Sequence, residues 1–207
     1  MKIKPEELLD NGYFLIDNLD HHELIPFVRK YLKKRTPFSI FYTLSNLVIA
    51  SIIVFWFWKN YGTYNFHLDE GFTHFSYGIG LAFSLIPIHE YIHVLAYKSQ
   101  GAENTSYDAN WKKFYFMAIA DRFVANKKEF QIVALAPFVV ISATLILLLF
   151  FSNLLWSFTI LGVLLTHTAF TSGDFGLLSY FDFHKEKEIL TYDDKENGIS
   201  YFYGKEK

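Results

Sequence analysis

The chain has 207 residues, a formal net charge of −2 and no cysteine. Of these residues 52% are hydrophobic and 20% aromatic, more rings than a soluble globular domain carries and the residue types that line lipid and its interfaces. The near-neutral charge argues against an electrostatic nucleic-acid surface. The missing cysteines exclude disulfides and thiolate metal sites, so any metal must sit on His, Asp or Glu.

Residues 1–36 are polar and charged. The first 20 residues carry acids and lack a compact apolar core, which reads as no signal peptide, so the first span is expected to stay in the mature protein. Asp20-His21-His22-Glu23 has the spacing of a helix N-cap box. Leu24, Phe27, Val28, Tyr31 and Leu32 then recur at helical spacing beside Arg29, Lys30, Lys33, Lys34 and Arg35. This pattern predicts a basic amphipathic helix, lying on a membrane surface or on the surface of a soluble unit. Pro26 predicts that the helix starts late or bends.

Residues 37–58 are uncharged and long enough to cross a bilayer, with Trp56, Trp58 and Tyr61 as an aromatic belt. Residues 72–97 form a second apolar run, interrupted by His74, His89, Glu90 and His93. Pro87, just before His89, frees a backbone carbonyl one turn earlier. His74 reads as ordinary interface chemistry. Residues 99–129 are a polar loop with aromatic pieces, open between a hairpin and a shallow interfacial segment. A third run covers 130–151, with Pro137 in its first turns. After Ser152-Asn153 a fourth covers 154 to about 178, a break short enough to force an antiparallel helical hairpin. In the tail, EILTY and ISYFY flank a segment ending in Asn197-Gly198 and read as two short strands, which Tyr13 to Ile16 could join.

The expected architecture is an all-α membrane protein of about four transmembrane helices: a 1–36 segment with an amphipathic helix, a 37–178 membrane domain and a 179–207 tail able to form a β-hairpin. Lys and Arg number seven before the first span, then one, six, none and five in the successive connections and tail. That alternation predicts an integral membrane protein with both termini in the cytoplasm.

His89-Glu90-Tyr91-Ile92-His93 is an HExxH pattern. On a helix the two imidazoles lie one turn apart on one face and can share a zinc ion, while Glu90 can take a proton from a water held there. Ionisable groups inside a span are expensive and usually functional. A catalytic zinc takes three protein ligands and keeps one position open. Counting rise per residue along antiparallel spans brings Asp174 to the depth of His89, which makes Asp174 the best third ligand. Gly173 would permit close helix approach or unwinding there. His167, two turns earlier on the same face, is the auxiliary residue: an alternative ligand, a group polarising a substrate carbonyl, or a hydrogen-bond partner for a neighbouring helix.

HEYIHVLAY in a membrane helix, ALAPF opening the next span and SGDFGLL in the last resemble an uncharacterised bacterial membrane family described as putative zincin peptidases. That family is in turn similar to site-2 intramembrane metalloproteases. The resemblance covers about residues 70–180. It implies His89 and His93 as ligands, Glu90 as base, Asp174 as the ligand from a later span, zinc as cofactor and a bacterial cell membrane as the location. Site-2 enzymes carry Asp-Gly where this chain has Gly173-Asp174. The expected function is a membrane-embedded zinc metallopeptidase that hydrolyses peptide bonds of a membrane protein or peptide in or near the bilayer. The alternative is a non-catalytic zinc-binding scaffold or regulatory protein of the same fold. A di-iron oxidase needs several histidine boxes, and eight histidines in all, with His21-His22 outside the spans, do not supply them.

Overall fold

The computed structural model describes residues 2–63, 66–110 and 115–206. Strand β1 (Phe14–Asp20) opens the fold, and a 3-10 turn links it to helix α1 (Leu24–Leu32). Asp20 caps that turn by accepting the His22 backbone N–H. Pro26 falls in the first turn of α1, where its missing N–H breaks no helical bond, so the helix starts early and Pro26 does not delay it.

Helix α2 (Pro37–Asn60) is unbroken. Thr36 caps it through a reciprocal bond with Ser39, and Pro37 takes the first helical position. The run read as one second span is two helices, α3 (Leu68–Ser84) and α4 (Ile86–Ser99), bent by 44° at Leu85. Pro87 stands at the second position of α4, where a proline costs least. Helix α5 (Lys127–Leu149) is continuous through Pro137. The fourth run is likewise two helices, α6 (Leu154–Phe170) and α7 (Ser172–Phe183), bent by 41°. Helices α2 and α5 are each long and apolar enough to cross a membrane, and the number rises to four if each bent pair is one span.

The chain is not all-α. The described residues include a hairpin of β2 (Thr105–Asn110) and β3 (Tyr115–Ala120) in the polar connection. A second, antiparallel sheet of β4 (Ala125–Asn126), β5 (Lys187–Asp194), β6 (Ile199–Glu206) and β1 runs in the order β1-β6-β5-β4. Trp111 to Phe114, part of the loop piece left open by the sequence, lie outside the described residues. The fold is not all-helical because the tail hairpin, joined by the 13–16 segment as its sequence allowed, also takes up β4, and the polar connection forms its own hairpin: Phe14 pairs with Gly204 and Ala125 with Thr191.

Two cores hold the parts together. Within the helices, Ala82, Ile141, Leu145, Val163 and Leu164 pack as one cluster. Gly78 and Gly162 let α3 and α6 touch backbone to backbone: a Cβ on Gly78 would collide with the Thr159 carbonyl, and one on Gly162 with that of Phe75. The larger core joins the helix ends to the sheet through Leu19, Tyr31, Tyr97, Phe130, Phe175, Tyr180 and Phe202. Helix α1 belongs to this second core. Phe27 stacks on Phe202, Tyr31 meets Tyr180 edge-on, and Val28 sits on Gly176 of α7, where a side chain would leave no room. Its apolar face is therefore spent on the protein, which the sequence could not distinguish from a face spent on lipid.

Candidate metal centre

The two bends place the chemistry. His89 lies in the first turn of α4 and Asp174 in the first turn of α7, each just past its break. A carboxylate at a helix N-terminus is favoured by the unpaired amides and the helix dipole. His93 follows one turn after His89. Its Nε2 lies 3.1 Å from His89 Nε2 and 3.1 Å from Asp174 Oδ1, and His89 Nε2 lies 3.3 Å from Asp174 Oδ2. These three residues form a group able to hold a metal ion, with one ligand atom from each inside 4.8 Å of the others. Zinc bonds of about 2.0–2.1 Å in a tetrahedron put ligand atoms about 3.3 Å apart. The observed separations match those edges, and the N/N/O donor set suits zinc, so the residues fit the ion.

The outer nitrogens of both imidazoles are also engaged. His93 Nδ1 lies 2.9 Å from the Val133 carbonyl of α5. Pro137, four residues further on, has no N–H to give that carbonyl its helical bond. The proline inside α5 thus releases the acceptor that His93 uses. His89 Nδ1 lies 3.3 Å from His167 Nε2. His167 is 1% exposed, and its own Nδ1 has no hydrogen-bond partner among the described residues. It does not join the three-residue group: its Nε2 faces the outer nitrogen of His89. His74 lies elsewhere, 3.0 Å from Thr159 Oγ1.

Glu90 is buried and outside the donor group. The Ala118 backbone amide of β3 hydrogen-bonds its carboxylate. Glu90 and His89 line two cavities, one of about 120 Å³ reaching to His93, Asp174 and Asp193, and one of about 590 Å³ running under α1. Gly173 lines both. A Cβ there would meet nothing within 4 Å, so Gly173 keeps space open and does not serve close helix approach.

The sheet closes the smaller cavity. Ser200 Oγ donates to Asp193 Oδ1 at 2.6 Å, and His21 Nε2 lies 3.0 Å from the same hydroxyl. Burial pushes the Asp193 carboxyl up to about 6, with Asp121 adding to the rise and the bonds from Ser200 and the Ala120 amide opposing it. Burial lowers His21.

Sequence reasoning missed the Val133 carbonyl, the Ala118 amide and the Asp193–Ser200 pair. Only the first had a readable signal, the proline four residues after Val133.

No curated protein and no solved structure matches the chain. A family model does match, over residues 82–188, and its description reads "Putative zincin peptidase". The matched segment holds both histidines, Glu90, Pro137 and Asp174 and covers more than half of the sequence; the chain belongs to that family.

Proposed function

We propose that this protein is a membrane-embedded zinc metallopeptidase, both termini cytoplasmic, that hydrolyses peptide bonds in or near the bilayer. The observation that carries the reading is the convergence of His89, His93 and Asp174 at tetrahedral-edge distances with Glu90 beside them. Zinc, when bound, polarises a carbonyl and lowers the pKa of water. Glu90 takes the proton of the attacking water and returns it to the leaving amine, the usual work of a general base that turns acid. The Ala118 amide holds the Glu90 carboxylate in place for both transfers.

The outer contacts fix the ligands. With Nε2 of each histidine turned to the ion, the proton sits on Nδ1. His93 then donates to Val133 O and His89 to His167 Nε2. His167 is in this reading a positioning residue and not a ligand. Such outer partners are typically worth 10–100-fold in metal affinity.

The exposed apolar side chains of α2, among them Leu44, Leu47, Val54, Phe55 and Trp58, support embedding. Left in water they would each cost about 1.5–3 kcal/mol relative to burial, a loss that lipid contact removes.

Metal analysis of purified protein tests the site. Wild type is expected to carry about one zinc per chain, and His89→Ala with His93→Ala to carry none. Full occupancy in that double variant would refute the assignment.

A further inference from the structure

The larger cavity has two walls of different character. One is the candidate site: His89, Glu90 and Phe170 face it. The other is α1, which lies outside the residues matched by the family model. Ile25 and Arg29 of α1 and Lys33, which caps its C-terminus, follow one another at four-residue spacing and all line the cavity. This wall is fixed, because Phe27 and Tyr31 anchor the other face of α1 to β6 and α7. The surface between the walls is mostly apolar, with Leu24, Val28 and Ile86 among its residues, and a volume of about 590 Å³ lies in the range of ligand pockets.

The charges are one-sided. Among the described residues Glu90 is the single carboxylate on the lining, whereas Arg29 and Lys33 both stand there exposed. Neither makes an ion pair among the described residues. Like charges one helical turn apart repel, and an anion between them would relieve that repulsion.

We propose, resting on the peptidase reading, that this cavity selects peptide substrates in which an apolar segment is followed by an acidic flank: the apolar side chains lie along Ile25 and Phe170, and the acidic side chains pair with Arg29 and Lys33. The substrate class is unusual, because the cytoplasmic flank of a membrane segment is more often basic. An acid-selective mouth would exclude most membrane segments and admit few.

The test uses zinc-loaded full-length Glu90→Gln protein in phosphatidylcholine nanodiscs, so that peptides bind without being cut. Two labelled peptides share one apolar segment and differ in a flank of three Glu or three Lys. Anisotropy is expected to show the Glu peptide binding about ten-fold tighter or more, and Arg29→Glu with Lys33→Glu in the same background to reverse the order. A milder pair, Arg29→Gln with Lys33→Gln, is expected to level the two affinities. Equal binding of both peptides, or an unchanged order after charge reversal, would overturn the proposal. So would a preference seen only in phosphatidylglycerol discs, which would make Arg29 and Lys33 a lipid-headgroup site. Wild-type protein given the same peptides separates the two readings: cleavage without charge preference leaves a peptidase and removes the selective mouth, whereas selective binding without cleavage does the reverse.

Discussion

Helices α2 and α5 run unbroken, whereas α3–α4 and α6–α7 each bend by more than 40°. The unbroken pair contributes length and apolar surface; among the described residues its one hydrogen bond with the ligand set is the one that the Val133 carbonyl on α5 accepts. The bent pairs carry His89, Glu90, His93 and Asp174, all within the first two turns past a bend. A bend at Leu85 or Thr171 ends one set of backbone bonds and starts another, so side chains can converge on one point without strain in a straight helix. Long helices are thus the frame, and the breaks are where polar chemistry enters it.

The sharpest way to break this contrast is to separate the bent pairs from each other. Gly162→Val forces a side chain into the Phe75 carbonyl, and overpacking of that kind against backbone costs on the order of 3 kcal/mol or more. Chemical unfolding in detergent is expected to show that loss, while Gly80→Ala, whose added Cβ meets nothing within 4 Å, stays close to wild type.

The bent pairs rest on the sheet, and Asp193 probes that support. Burial holds its carboxyl at about 6 in the folded protein, above the ordinary value of 3.8. The group therefore contributes its stability in full below the unfolded pKa and loses it as pH rises through about 6, a difference on the order of 3 kcal/mol at most. Asp193→Asn is expected to melt higher than wild type at pH 8, with the gap closing by pH 4. A gap that widens toward acid would reverse the sign assigned to this carboxyl.

Smaller effects are expected where the unbroken helix touches the site. Pro137→Ala restores an N–H that competes for the Val133 carbonyl, so it should strengthen α5 while lowering zinc affinity about 10-fold. His167→Leu should weaken zinc by about 10–100-fold, with His167→Gln keeping most of it because its amide oxygen can accept from His89. Chelator competition reads both. The smallest effect belongs to the frame alone: Thr36→Ala removes the cap of α2 and should cost about 1 kcal/mol in unfolding with no change in zinc.

Much of the site was legible because its signals are local. His89, Glu90 and His93 announce themselves by spacing, and Asp174 follows from equal depth in antiparallel runs. The hairpin β5–β6 was legible from its alternation around Asn197-Gly198, whose glycine takes φ +64. The remainder depends on contacts between distant segments. The 13–16 segment was legible as a strand for the tail, but not its register of Phe14 on Gly204, and no pattern in β3 marks the Ala118 amide for Glu90. The amphipathic α1 looked the same whether its apolar face met lipid or Tyr180. The first bend was foreshadowed by Pro87; near Thr171 the one mark was Gly173, read as a place for close approach or unwinding.

The central claim is that the residues beyond the bends hydrolyse a peptide bond, and Glu90→Gln tests it most directly. The substitution keeps size and hydrogen bonding and removes the base, whose work is typically worth 10²–10⁴-fold in rate. Zinc content and cleavage of a membrane peptide are measured on the same preparations of wild type and variant. The account predicts about one zinc per chain in both and cleavage in wild type alone. A zinc-loaded Glu90→Gln protein that cleaves as fast as wild type would contradict it.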